Sequence, residues 1–240
     1  MQSLDGKTIL VTGGAKRIGR AIALDLASRG AKIAVHYNGS AEAAAATARE
    51  CGGRAFQADL SRVAKIERLF AEIEESYGRL DGLVNNAARY RAMDVLEVSE
   101  QDWDALHSVN LKAVFFCAQH AARLMKRSGG GRIVNISSLG GLRPWSKHVP
   151  YGAAKAGVIM MTRSLAKALA PEVSVNSVAP GVIHFGEEIP SDIQRLISAT
   201  PKQRHGRSED IAEAVAWFFT CSDFITGQTL AVDGGLSQRA

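Results

Sequence analysis

Cysteine is scarce in this 240-residue chain, which has three, at positions 51, 117 and 221. An odd, scattered set with no CxxC pair argues against a disulfide framework and a zinc site, so no metal is expected. Long apolar runs are also missing. Ala113–Ala118 and Gly157–Met161 are the longest stretches, far short of the ~18 residues that suggest a membrane span. The opening Met1-Gln2-Ser3-Leu4-Asp5-Gly6-Lys7 lacks the basic-then-apolar layout of a secretory leader. A reducing cytoplasm is the expected setting, and no membrane partner is expected. The formal charge is +5, but its basic residues neither form a run nor interleave with aromatics. A nucleic-acid partner is therefore not expected. No linker, repeat or low-complexity tract divides the chain.

What is present is the composition of an ordinary globular protein, 46% hydrophobic and 22% charged. That suits one buried domain over residues 1–240. Short β-branched runs alternate with longer amphipathic patterns. Strands are expected at Thr8–Val11, Lys32–His36, Arg54–Gln57, Leu83–Asn85, Arg132–Ile136, Ser174–Val178 and Thr229–Val232. Helices are expected over Ile18–Ser28, Ser40–Glu50, a segment capped by Ser61, Ser99 to about Arg127, Tyr151–Leu169 and about Glu209 to Cys221. Strands separated by helices pair in parallel through right-handed crossovers. The expected fold is α/β: a doubly wound, seven-stranded parallel sheet in a three-layer, Rossmann-like single domain.

In such folds ligands bind beyond the carboxyl ends of the strands. The first strand there runs into Thr12-Gly13-Gly14-Ala15-Lys16-Arg17-Ile18-Gly19, which opens directly into a helix. Glycines let backbone approach a pyrophosphate, and the helix N-terminus holds it. Lys16, Arg17 and Arg20 in the first turns oppose the helix dipole, a cost that a bound anion offsets. The second strand ends in His36-Tyr37-Asn38-Gly39-Ser40, without the carboxylate that takes the ribose hydroxyls of NAD. With Arg17, His36 and Ser40 nearby, a 2′-phosphate and hence NADP(H) is the expected cofactor.

Tyr151 and Lys155 stand four residues apart on one helix face. A phenol titrates near ~10, and a neighbouring ammonium favours the phenolate, so the pair predicts a depressed tyrosine and an acid–base centre.

Taken in order, Thr12-Gly13 through Gly19, Asp59-Leu60, Asn85-Asn86-Ala87, Asn110, Ser138, Tyr151-Gly-Ala-Ala-Lys155 and Pro180-Gly181 resemble the short-chain dehydrogenase/reductase family along the full chain. The resemblance implies that Tyr151 transfers the proton accompanying hydride transfer and that Lys155 holds the nicotinamide ribose. Ser138 would orient the substrate carbonyl, with Ser137 satisfying backbone, and Asn110 would anchor a relay water. Asp59 and Leu60 would meet the adenine, Asn86 and Ala87 the adenosine ribose, and Ile183, after Pro180-Gly181, the carboxamide. It also implies a homo-oligomer, dimer or tetramer, built on the Ser99–Arg127 and Tyr151–Leu169 helices.

Three departures narrow the resemblance. Arg17 replaces the usual glycine two places before Gly19, Ala88 closes the Asn-Asn-Ala motif, and Phe185 stands where a threonine is common. Arg17 with His36, Tyr37 and Ser40 is similar to pteridine and dihydromonapterin reductases, in which an aromatic at Tyr90 would stack on the pterin. Ser138 points instead to 3-oxoacyl-carrier-protein or general carbonyl reductases. A carrier-protein substrate would call for a basic patch, for which Arg89, Arg91 and Arg143 are candidates. The expectation is an NADPH-dependent oxidoreductase delivering hydride to a C=O or C=N group of a small molecule. Tyr90 and Phe185 are its candidate substrate contacts, and residues 186–206 its candidate lid. A non-catalytic NADP(H) sensor is the other class, disfavoured because Tyr151 and Lys155 are both present.

Overall fold

In a computed structural model describing residues 2–238, seven strands form one sheet: β1 Thr8–Val11, β2 Lys32–Tyr37, β3 Arg54–Gln57, β4 Gly82–Asn85, β5 Gly131–Ile136, β6 Val173–Pro180 and β7 Thr229–Val232. Their order is β3-β2-β1-β4-β5-β6-β7, every pair parallel. β1 and β4 are buried along their whole length, as expected of central strands covered on both faces.

One face is covered by α1 (Arg17–Ser28) and α8 (Ser208–Thr220), whose Ile22, Leu26, Val215 and Phe218 pack on Ile9, Val11 and Val35. The other carries α3 (Val63–Tyr77), α5 (Ala113–Arg127) and α6 (Val149–Leu169), whose Leu69, Ile73, Cys117, Met125 and Ala166 pack on Leu10, Leu83, Ile133 and Val175. α2 (Ala41–Glu50) packs beside β2 and β3. Among the described residues no helix is long and apolar enough to cross a membrane.

The expected strands are all present, within one or two residues of the expected ends. Ser99 makes a capping box with Asp102 at the start of α4 (Glu100–His107). Three local expectations change. Ser61 does not cap α3: its N–H and hydroxyl turn back onto Asp59 at 3.0 and 2.7 Å, and Arg62 takes the cap position. The helix from Glu100 to Arg127 is interrupted by a π-helical turn over Ser108–Lys112. Within the expected lid lies an amphipathic helix, α7 (Ser191–Ala199). Its Ile193 and Leu196 pack on a small cluster of Leu139, Val182 and Leu236.

Candidate active site

The carboxyl ends of β1, β4, β5 and β6 open on one edge of the sheet. β1 and β4 meet where the strand order reverses, the place where open α/β sheets bind ligands. At the end of β1 the glycine turn is closely packed. Gly13 has φ +62°, and a Cβ on Gly19 would lie 2.1 Å from the Gly13 carbonyl oxygen. No side chain fits there. The turn is locked from β4: Thr12 Oγ1 accepts from the Asn86 and Ala87 N–H groups at 2.9 and 3.0 Å, and Asn86 Nδ2 donates to the Thr12 carbonyl at 3.0 Å. α1 begins without a side-chain cap and without an acidic residue in its first turn, so its amino end remains suited to a phosphate.

Arg17 holds a left-handed φ of +53°, the region that favours glycine, and its guanidinium lies 5.0 Å over the Phe185 ring. A left-handed L-residue costs roughly 1–2 kcal/mol, and such outliers gather at functional positions. The structure thus joins an expected cofactor residue to an expected substrate residue.

His36 corrects the sequence reading. It is 2% exposed, its Nδ1 accepting from the Gly13 N–H at 3.0 Å and its Nε2 facing the Ala58 carbonyl at 3.0 Å. With both nitrogens engaged inside the fold, it ties β1 to the end of β3 instead of reaching a phosphate. Burial is the main cause that lowers its pKa to about 4. Leu60 is likewise a core side chain. Tyr37 and Ser40 are half-buried and Asn38 is exposed at the end of β2. The bond from the Ser61 hydroxyl is the main cause that holds the Asp59 carboxyl below its ordinary value.

The candidate chemical groups follow β5. Ser138 is extended, and its hydroxyl accepts from the Gly140 N–H at 3.0 Å in the turn Leu139–Gly141. That turn lies directly on α6. A Cβ on Gly141 would stand 2.7 Å from the Lys155 backbone, and one on Gly152 would stand 2.9 Å from the Gly140 carbonyl. Glycines on both sides therefore bring the Ser138 turn beside Tyr151. Lys155, 2% exposed, donates from Nζ to the Ile136 carbonyl at 2.7 Å, and burial lowers its pKa to about 8. Its ammonium is 5.7 Å from the Tyr151 ring centre.

The expected depression of Tyr151 is reversed in the protein itself. Burial pushes the phenol up and outweighs the opposing bond with Ser138. Tyr151 is therefore a neutral acid at pH 7, the form that can donate a proton. Ser137 bonds the Val178 carbonyl at 3.1 Å, as its expected backbone role requires.

Asn110 is fully buried in the π turn and spans the Arg89 backbone. Its Oδ1 accepts from the Arg89 N–H and its Nδ2 donates to the Arg89 carbonyl, both at 2.8 Å. It fixes the loop bearing Tyr90, whose ring stands 5.0 Å from that of Tyr151 at 86°. Pro180 ends β6, the Gly181 N–H donates to Val232 at 3.0 Å, and Ile183 forms an isolated bridge with Gly206. Arg91 pairs with Asp102 at 2.7 Å, and Arg143 donates to the Leu236 carbonyl at 2.9 Å, so two of the three expected patch cations are tied into the fold.

Sequence reasoning missed two sets of residues. One is the buried chain from Asn85 to Asn135 to Thr162, linked at 2.9 and 2.9 Å, which joins β4 and β5 to α6. Polar residues inside apolar strand runs were its signal. The other is Trp145 and His148 before α6, for which the sequence carries no motif. Among the described residues no cluster of three or more His, Cys, Asp or Glu could hold a metal.

A family model described as Enoyl-(Acyl carrier protein) reductase matches residues 13–237. A 3-oxoacyl-[acyl-carrier-protein] reductase of Synechocystis is 37% identical, covering 98% of this chain and 99% of its own. One of Staphylococcus aureus is 39% identical, covering 96% and 98%. Two variants of a Serratia marcescens short-chain dehydrogenase/reductase superpose with TM-scores of 0.92 and 0.93 at 33% and 34% identity, covering 98% of this chain and 100% of theirs.

Proposed function

Because the chain belongs to the short-chain dehydrogenase/reductase family of oxidoreductases, we propose that it reduces the ketone of a 3-oxoacyl thioester with NADPH. The observation that carries the reading is the grouping of Ser138, Tyr151 and Lys155 at the end of β5. It holds a protonated phenol, a hydroxyl and a buried amine around one point.

The glycine turn, with its locked backbone and uncapped helix end, fits the pyrophosphate of a dinucleotide. Gly13, Ile18 and Gly19 would line it, with Asp59, the Leu60 backbone, Asn86 and Ala87 around the adenosine. Arg17, Tyr37, Asn38 and Ser40 supply the basic and polar groups in place of an NAD-selective carboxylate. Pro180, Gly181 and Ile183 would flank the nicotinamide, which when bound supplies the hydride. Ser138 then donates to the substrate oxygen and polarises the carbonyl. Tyr151 gives its phenolic proton to that oxygen as negative charge develops there. The Lys155 ammonium stabilises the phenolate left behind and, through Ile136, is held beside it. Asn110 keeps the neighbouring loop in place. Residues 186–206, with Phe185 just before them, close over the substrate. The cytoplasm is the setting. Exposed Phe115 on α5 and Met160 on α6 support a homodimer or tetramer built on those helices.

A pteridine-like C=N substrate is the second reading, favoured by the Tyr90 ring beside Tyr151. Initial rates with NADPH and NADH against an acetoacetyl thioester, a dihydropterin and small ketones separate the two. The proposal expects the thioester with NADPH to be fastest. A dihydropterin turned over while the thioester is inert would replace it.

A further inference from the structure

One aromatic cluster beside the catalytic phenol has no part in the chemistry above. The His148 imidazole lies parallel to the Tyr90 ring, centroids 4.7 Å apart and planes at 19°. Trp145 meets the same imidazole edge-on at 5.6 Å. Tyr90 in turn stands perpendicular to Tyr151 at 5.0 Å. The two loops involved are tied by the Met93 N–H donating to the Lys147 carbonyl at 2.8 Å, and Arg89 is clasped by Asn110. Tyr90 is therefore held through its backbone neighbours and through one ring face.

His148 is used for its shape. Both faces of its surroundings are aromatic, Tyr90 in parallel and Trp145 edge-on, and its Nε2 bonds to no protein group among the described residues. Burial, then Lys147, lowers its pKa, so the ring stacks uncharged. Tyr90 is uncharged as well: partial burial and the Asp192 carboxylate of α7 push its phenol up. Tyr90 is 61% exposed, so its protein contacts are the His148 ring on one face and the Tyr151 ring at its edge.

We propose that His148 is a positioning residue that sets substrate breadth. By stacking on Tyr90 it builds an aromatic wall beside Tyr151 that admits a slender acyl chain and turns away ketones flanked by a bulky ring. This rests on the ketone-reductase reading. Tyr90 meets the phenol, His148 stands behind it, and Trp145 backs the imidazole from a second direction.

The test compares the native enzyme with His148→Ala and His148→Phe, taking kcat/KM for an acetoacetyl thioester and for a bulky aryl β-keto ester with NADPH. In His148→Ala the bulky-to-slender ratio rises about tenfold, chiefly through the KM of the bulky ester. His148→Phe, which keeps a flat ring, restores the native ratio. A His148→Ala variant that loses thermal stability without moving the ratio overturns the proposal, because the residue is then only structural. A ratio that rises equally in both variants overturns it too. Should the native enzyme reduce neither compound, the ketone-reductase reading fails. The crystal structure of His148→Ala then decides the wall: Tyr90 in a new rotamer upholds it, and Tyr90 unmoved overturns it.

Discussion

His36 and Arg17 show how far a residue's type differs from its role. Histidine at the end of the second strand reads as a polar group at a nucleotide edge, yet its ring is pulled inward to the Gly13 N–H and the Ala58 carbonyl. Sequence gives the residue and its register but not the direction of χ1. The folded-state pKa of about 4 lies below the ordinary imidazole value of 6.5. Between these values the unfolded chain binds a proton that the native ring refuses, so stability falls as pH drops through the window. Urea unfolding between pH 7 and 4 should lose about 3 kcal/mol from this group, a loss missing in His36→Gln. Arg17 yields a prediction of a different kind. Glycine there would relieve the left-handed backbone but add unfolded-state entropy and remove the contact with Phe185, and these terms nearly cancel. Arg17→Gly is expected to change stability by less than about 1 kcal/mol while raising the NADPH dissociation constant about tenfold, read by calorimetry.

Among the elements, the strands were legible because a buried parallel strand is a short β-branched run closed by a turn residue, and even the half-exposed edge strands β3 and β7 stand alone between helices or turns. Tyr151 and Lys155 were legible for a related reason, since their spacing places them on one helix face, whereas Ser138 was legible through the family resemblance. The π turn and α7 were not. Helical periodicity runs straight through Ser108–Lys112, and the extra residue is accommodated because Asn110 bonds sideways to the Arg89 backbone. α7 owes its position to packing of Ile193 and Leu196 on residues from distant segments. Asn110→Leu keeps the volume but leaves the Arg89 N–H and carbonyl unpaired. It should cost about 2–4 kcal/mol in thermal or denaturant unfolding. The released Tyr90 loop would also loosen the wall beside Tyr151.

Across the whole molecule, the alternating pattern points to a parallel sheet with right-handed crossovers and a ligand site beyond the strands' carboxyl ends, while the strand order and its reversal between β1 and β4 come from the structure. The ring contacts at its mouth were not, because Tyr90, His148 and Tyr151 reach it from different segments. The same long-range assembly reversed the expected titration of Tyr151. Burial raises its pKa more than the bond with Ser138 lowers it, and the phenol keeps its proton. The central claim is that this phenol protonates the reduced substrate. Replacing Tyr151 with Phe and following NADPH oxidation with an acetoacetyl thioester tests it, alongside NADPH binding as a control for an intact cofactor site. Loss of the general acid predicts a fall in kcat of about 10²-fold or more with NADPH still bound. Turnover equal to that of the native enzyme would contradict the account.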